Sequence, residues 1–394
     1  MEIKSLKEIA SLIRTGKTPP TKEEKYFDGE INWYSPGDLD KTKYLFASKR
    51  TITQKAIEDK KAITFPKGTL LVGCIGDIGK LGITSELSSS NQQLTGILPK
   101  NQTDVNYLYY WFKGNKKVLE NYSNNAVVPI LNNRTLETVK IPLPPLDLQK
   151  KIAATLDAAD LYRQKTKALI NKYDELTQSL FLEMFGDPVS NPKGWKVNLL
   201  KKIASKIGSG STPRGGKEAY KERGVSLIRS MNVYDNKFKY KNLAFIDDYQ
   251  AEKLKNVIVE KNDVLFNITG ASICRSSVVP INVLPARVNQ HVSIIRPVNS
   301  VIISKFLVHF LISENVKNKL LGVGSGGGAV MEAITKEQLQ NIEVILPPLD
   351  LQNQFAERVQ AIEKQKSQAQ ASLAQAEDLF NSLLQRAFKG ELTS

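Results

Sequence analysis

Two stretches of the chain carry the same hydrophobic pattern, a narrow apolar stripe recurring every three or four positions. In the first the stripe is Leu148, Ile152, Leu156, Ala159, Ile170, Tyr173, Leu180 and Met184. In the second it is Leu351, Phe355, Val359, Ile362, Ala369, Leu373, Phe380, Leu383 and Ala387. Each stretch opens on the same words, Leu143-Pro144-Pro145-Leu146-Asp147-Leu148-Gln149 and Leu346-Pro347-Pro348-Leu349-Asp350-Leu351-Gln352. Two prolines disfavour helix just before them, and the aspartate beyond suits a helix start. No glycine or proline follows Pro145 until after Phe185, and none follows Pro348 until after Lys389. The pattern therefore predicts two helices of about forty residues, each roughly 60 Å long. A shift of 203 residues lays Leu148 on Leu351, Ile152 on Phe355, Leu156 on Val359, Tyr173 on Ala376 and Leu180 on Leu383. A narrow stripe on so long a helix cannot be buried in a small domain, so each helix is expected to pair with the other. Ile152, Leu156, Leu180, Phe355, Val359 and Leu373 are the expected pairing seam.

The segments before each helix also match. Each opens with apolar residues of a short amphipathic helix: Leu6, Ile9, Ala10, Leu12 and Ile13, then Leu199, Leu200, Ile203 and Ala204. The first such helix is expected to run to Thr15-Gly16. A Gly-x-Thr-Pro turn follows in both, at Gly16-Lys17-Thr18-Pro19 and at Gly210-Ser211-Thr212-Pro213-Arg214. Next come apolar segments around Ile31–Leu39 and Val225–Val233, and then the strongest match. Pro66–Leu81 and Glu260–Arg275 each read as a turn, a buried strand and a Gly-containing loop ending on a basic residue. Asn91-Gln92 and Asn289-Gln290 then precede another strand. Because this pair occurs in both segments, a turn-fixing role is favoured for it over base reading. Each segment closes on an apolar helix, Val105–Phe112 and Phe306–Ile312, expected to pack as core rather than stack bases. Gly324–Gly328 reads as a mobile loop.

Charge sharpens this division. The chain carries a net +15. Residues 1–146 contribute +6, residues 147–187 contribute −1, residues 188–349 contribute +11 and residues 350–394 contribute −1. The excess sits in the two bodies, as expected for two polyanion sites. Chemistry is sparse by comparison. Gly16-Lys17-Thr18 is not a P-loop, since Ser11 stands where a glycine is needed and no strand is expected before it. Asp38, Glu58 and Lys60 loosely imitate a metal-dependent nuclease, but the second body has Asn232 where the first has Asp38. Two cysteines, Cys74 and Cys274, and two histidines, His291 and His309, give no metal-ligand spacing. No apolar run approaches a membrane span, and the N-terminus is no signal peptide, so a reducing, cytoplasmic setting is expected.

Body, long helix, body, long helix, with proline-led Leu-Pro-Pro-Leu-x-x-Gln helix starts, resembles the specificity subunit of type I restriction–modification systems. Asp147 and Asp350 stand where glutamate is common. The resemblance implies an α+β protein with two target recognition domains built on twisted sheets (residues 1–146 and 188–349). Two long antiparallel coiled-coil helices (residues 147–187 and 350–394) separate them. It implies that each domain reads half of a split site in double-stranded DNA. Two methyltransferase subunits and the restriction subunits would dock on this scaffold. S-adenosylmethionine, ATP and magnesium would bind those partners and not this chain, which would have no catalytic activity or metal of its own. Lys17, Lys80, Arg214, Arg229, Arg275 and Arg287 are the expected DNA contacts, chosen for charge and loop position. Two rival readings remain: a single-chain nuclease or methyltransferase, and a coiled-coil interaction protein that never touches DNA.

Overall fold

The computed structural model describes residues 2–123, 128–213, 216–322 and 333–392, except the side chain of Lys217. The expected loop at Gly324–Gly328 and the candidate Arg214 lie outside the described residues. The chain divides into two compact units, Met1–Lys167 with Ala371–Ser394, and Ala168–Gln370. Each contains parts of both long helices.

The first unit has two sheets, and the closing helix Val105–Gly114 packs on the first of them. One sheet has strands in the order Ala10–Thr15, Leu94–Pro99, Leu70–Gly73, Leu81–Thr84, Tyr44–Leu45. The other runs Arg50–Ile52, Phe27–Tyr34, Ser88–Ser90, Thr64–Phe65. A separate pair, Glu2–Ser5 with Lys140–Leu143, joins the start of the body to its end. The second unit repeats this plan. Its sheets run Ala204–Ser209, Val292–Pro297, Val264–Asn267, Ser276–Val278 and Ala244–Ile246, Val225–Ile228, Ala286–Val288, Ile258–Val259. In both units the second sheet has one parallel pair, Phe27–Tyr34 with Ser88–Ser90 and Val225–Ile228 with Ala286–Val288. The pair Lys196–Leu199 with Glu343–Leu346 closes the second body. The duplication seen in the sequence is thus a duplication of topology.

One expectation fails at the opening of the first body. The helix there is only Leu6–Ile9 and Ala10–Thr15 is a strand, while in the second body the short helix is Leu200–Ile203, as expected to within a residue, and the strand Ala204–Ser209 follows it. Leu12 and Ile13 sit next to each other on opposite faces of a strand, which a helical reading cannot distinguish from a short amphipathic run. A strand therefore precedes Gly16, but a Thr-Pro-Pro turn and not a helix follows it, so the P-loop reading fails for a different reason.

The long helices are Leu146–Phe185 and Leu349–Lys389. Each starts one residue before the predicted aspartate, because the proline carbonyls cap them. Pro145 O accepts from Leu148 and Gln149 N–H at 2.9 and 3.0 Å, and Pro348 O from Leu351 and Gln352 at 3.0 and 3.2 Å. The glutamine in the motif is wholly buried in both units. Gln149 Oε1 accepts from Asp104 N–H at 2.9 Å, and its Nε2 donates to Gln102 O at 3.1 Å and Pro144 O at 2.8 Å. Gln352 Oε1 accepts from Ile303 N–H at 2.9 Å, and its Nε2 donates to Val301 O at 3.2 Å and Pro347 O at 2.9 Å. A side chain with two donors and an acceptor is what this site requires. Each body is therefore stapled to its helix by the same three bonds.

The seam is antiparallel within each unit. In the first, Ile152 and Leu156 share a core with Phe380, Leu384 and Ala387. In the second, Phe181, Met184 and Phe185 share one with Phe355 and Val359. Leu180 is only half-buried, and Phe181 beside it takes the core position. Likewise Leu384 lies deeper than Leu383, and Leu373 is half-buried. The ring of Phe181 stacks on Phe306 at 5.6 Å and meets Phe355 edge-on at 5.5 Å. The Val105–Phe112 aromatics are core, as their apolar run predicts: Tyr107 through Phe112 are all buried.

Candidate nucleic-acid interface

Two motifs that are far apart in sequence meet in each body. The Gly-x-Thr-Pro turn lies against the Asn-Gln turn. Thr18 donates its hydroxyl hydrogen to Gln92 Oε1, and Thr212 does the same to Gln290 Oε1. The asparagines are buried and fix the turn itself. Asn91 Oδ1 accepts from Gln93 N–H at 3.1 Å and Asn289 Oδ1 from His291 N–H at 3.2 Å. Their own N–H groups donate to Tyr34 O and Ile228 O, at the end of the central strand of the second sheet. The glycines are required by this approach. A Cβ on Gly16 would lie 2.2 Å from Ser90 Oγ, and one on Gly210 would lie 1.7 Å from Val288 O. Gln92 and Gln290 remain exposed at the surface.

The Gly-containing loops are also closed identically. Gly73 N–H donates to Lys80 O at 2.8 Å and Gly79 N–H to Gly73 O at 2.9 Å. In the second body Asn267 N–H donates to Arg275 O and Cys274 N–H to Asn267 O, both at 2.9 Å. Cys274 adopts φ +65° where the first body has Gly79 at +80°. Lys80 and Arg275 thus occupy equivalent places, but their surroundings differ. Lys80 forms an ion pair with Asp77 at 2.7 Å, and that lysine holds the Asp77 carboxyl below its ordinary value. Arg275 lies over the Tyr234 ring, 4.5 Å from its centroid, with no ion pair among the described residues. Lys239 Nζ is 3.5 Å from the Tyr234 hydroxyl, and with Arg275 it holds that phenol below its usual value. Ser230, Met231, Tyr234, Thr269, Arg275 and His291 line an open cleft of about 380 Å³ here.

The remaining candidates are scattered. Lys17 is exposed in its turn, with Nζ donating to Lys60 O at 2.6 Å. Arg229 donates to Asn242 O and lies 5.1 Å from the Tyr220 ring centre. Arg287 is engaged by backbone, donating to Ala251 O at 3.1 Å and Ala286 O at 3.0 Å. Asp38 is a turn anchor, accepting from Ser35 N–H at 2.9 Å, and Asn232 fills the same place by accepting from Arg229 N–H at 3.1 Å. Among the described residues no three His, Cys, Asp or Glu are grouped to hold a metal. Burial pushes both thiols, Cys74 and Cys274, up to about 11, which leaves them unreactive at neutral pH. His309 is buried against Phe355, and desolvation lowers it to about 3. Sequence reasoning missed Tyr234, Lys239 and Asn267. The signal was available for Asn267, a polar residue ending the apolar strand Val264–Asn267. It donates to Ser230 O at 2.9 Å and Ser272 Oγ at 3.2 Å.

The chain is similar to known proteins. Residues 1–175 and 192–377 both match the model of the type I restriction modification DNA specificity domain. The MjaIX type I restriction enzyme specificity subunit of Methanocaldococcus jannaschii is 26% identical over 421 aligned positions, covering 99% of this chain and 93% of that protein. The EcoBI specificity subunit of Escherichia coli is 27% identical, covering 82% of this chain and 74% of that protein. Among solved structures, the S subunit of a type I restriction–modification system from M. genitalium superimposes with a TM-score of 0.58 at 16% identity, over 98% of this chain and 96% of that one. A chain from a study of complex assembly and conformational transition in a type I system superimposes with a TM-score of 0.63 at 18% identity, over 99% and 98%.

Proposed function

This chain belongs to the type I restriction–modification DNA specificity family, and from that membership we propose that it reads double-stranded DNA at two half-sites and carries no catalysis of its own. Residues 1–146 and 188–349 act as the two recognition domains, and residues 147–187 and 350–394 as the helical spacer. Methyltransferase subunits, two per chain, and restriction subunits dock on it in a cytoplasmic complex. S-adenosylmethionine, ATP and magnesium act on those partners. Among the described residues no helix is long and apolar enough to cross a membrane.

One observation carries the reading. Two bodies share a hydrogen-bonded frame down to individual turns, yet carry different side chains at the same loop positions: Lys80 with Asp77 against Arg275 with Tyr234. A common frame with divergent tips is suited to recognising two different sequences with one architecture. The concentration of the +15 net charge in the bodies supplies the sequence-independent attraction to phosphate.

The test is to purify the chain with its methyltransferase partner and map methylated sites in a host carrying both. A bipartite consensus is expected, with no methyl transfer by the chain alone. Methylation at unsplit sites, or methyl transfer by the isolated chain, would refute the reading.

A further inference from the structure

Building on that reading, we infer that Arg275 recognises a guanine in the half-site taken by the second body, and that its place on Tyr234 makes it a base reader and not a phosphate contact. Three other arginines of this body are held by carboxylates or backbone carbonyls. Arg296 is paired with Asp263 and Glu260, Arg287 donates to two backbone carbonyls, and Arg229, 5.1 Å from the Tyr220 ring centre, donates to Asn242 O. Among the described residues Arg275 has no carboxylate or carbonyl partner of this kind. Its guanidinium lies 4.5 Å over the Tyr234 ring instead. Contact with the phenol restrains the guanidinium, and the fork has five N–H donors, so donors remain beyond those turned to Tyr234. A restrained fork suits guanine O6 and N7, which accept two parallel hydrogen bonds in the major groove. A phosphate can be met from many directions and needs no such orientation.

The surroundings are preorganised. Asn267 donates to Ser230 O on one side and to Ser272 Oγ on the other. This ties the segment leading to Tyr234 to the loop carrying Arg275. Thr269 Oγ1 lies 2.6 Å from His291 Nδ1, which adds a fixed polar pair to the same cleft. Met231, 40% exposed, supplies an apolar contact beside them. Lys239, next to Tyr234, is placed to meet the backbone of the same duplex. At the equivalent loop of the first body the cation is Lys80, paired with Asp77 and not set on a ring, so guanine reading at this loop belongs to the second body.

The test uses the full chain in complex with its methyltransferase partner and a pool of duplex DNA with randomised half-sites. Bound sequences are read for wild type, Arg275→Ala, Arg275→Lys and Tyr234→Leu. For wild type one half-site should contain an invariant G·C pair. Arg275→Ala and Arg275→Lys should relax that one position, with affinity for the wild-type sequence falling about ten- to hundred-fold and an unchanged salt slope. Tyr234→Leu should relax the same position partially. The inference is overturned if Arg275→Lys keeps the preference, or if the position is unaffected. It is also overturned if affinity falls uniformly across sequences with a salt slope shallower by about one, the mark of a phosphate contact. A wild-type complex that selects no sequence would instead defeat the broader reading of function.

Discussion

Replacing Gln352 by leucine removes three hydrogen bonds while keeping a side chain of similar bulk. It leaves the Ile303 N–H and the Val301 and Pro347 carbonyls facing an apolar group at a wholly buried site. An orphaned buried donor costs about 1–3 kcal/mol, and carbonyls with a second lone pair cost less. The expected loss is about 2–5 kcal/mol, most of it from the Ile303 N–H. Trp195 lies in the second unit and packs against its core, while Trp33 and Trp111 lie in the first. Urea unfolding of a Trp33→Phe, Trp111→Phe background therefore reports the second unit through Trp195 fluorescence. Gln352→Leu should move that transition to much lower urea. The same change at Gln149, read through Trp111 alone, should destabilise the first unit by a similar amount. A shift worth less than about 0.5 kcal/mol in either unit would show that the staple is incidental.

Four further outcomes are expected. His309 titrates near 3 in the fold against about 6.5 unfolded, so its depressed value gives stability that is complete above pH 6.5 and declines as pH falls toward 3. His309→Phe should remove up to about 1.4 kcal/mol of the loss between pH 7.5 and 5.5, and equal pH dependence in variant and wild type would contradict this. Gly210→Ala should unfold or distort the Gly-x-Thr-Pro turn, because its Cβ would meet Val288 O; an unchanged melting temperature speaks against that close approach. Ile152→Asp places a charge in the first unit's core and should cost several kcal/mol, while Leu373→Asp, half-buried, should cost distinctly less; thermal melts that rank them the other way would refute the burial argument. Lys17→Ala should make the salt dependence of DNA binding shallower by about one unit, and an identical slope would remove Lys17 from the interface.

The repeats were legible because duplication is visible as pattern: proline-led helix starts, Gly-x-Thr-Pro turns and Asn-Gln pairs each recur. What they do was not legible. That Gln149 and Gln352 reach back to backbone groups 45 to 51 residues earlier depends on tertiary geometry, as does the contact between Thr18 and Gln92. Ala10–Thr15 was misread because a six-residue run fits helix and strand periods alike. Within the seam, a period of three and four could not choose between Leu180 and Phe181, since both fall on the inner side of the helix. Packing against Phe306 and Phe355 chose the larger ring. Among the candidate arginines, charge and loop position predicted Arg275 and Arg287 equally. The structure separates them by their neighbours, a phenol ring for one and carbonyls for the other.

The first unit is assembled from segments that leave the ribosome far apart in time. Its core includes Phe380, Leu384 and Ala387, while the rest of it ends at Lys167. At about 5–20 residues per second, synthesis of the intervening 203 residues takes about 10–40 s. During that interval the core around Ile152 and Leu156 lacks Phe380, Leu384 and Ala387, and the body that is made first is the one finished last. Chaperone capture of nascent chains should therefore centre on the first long helix, and end only when the second is released.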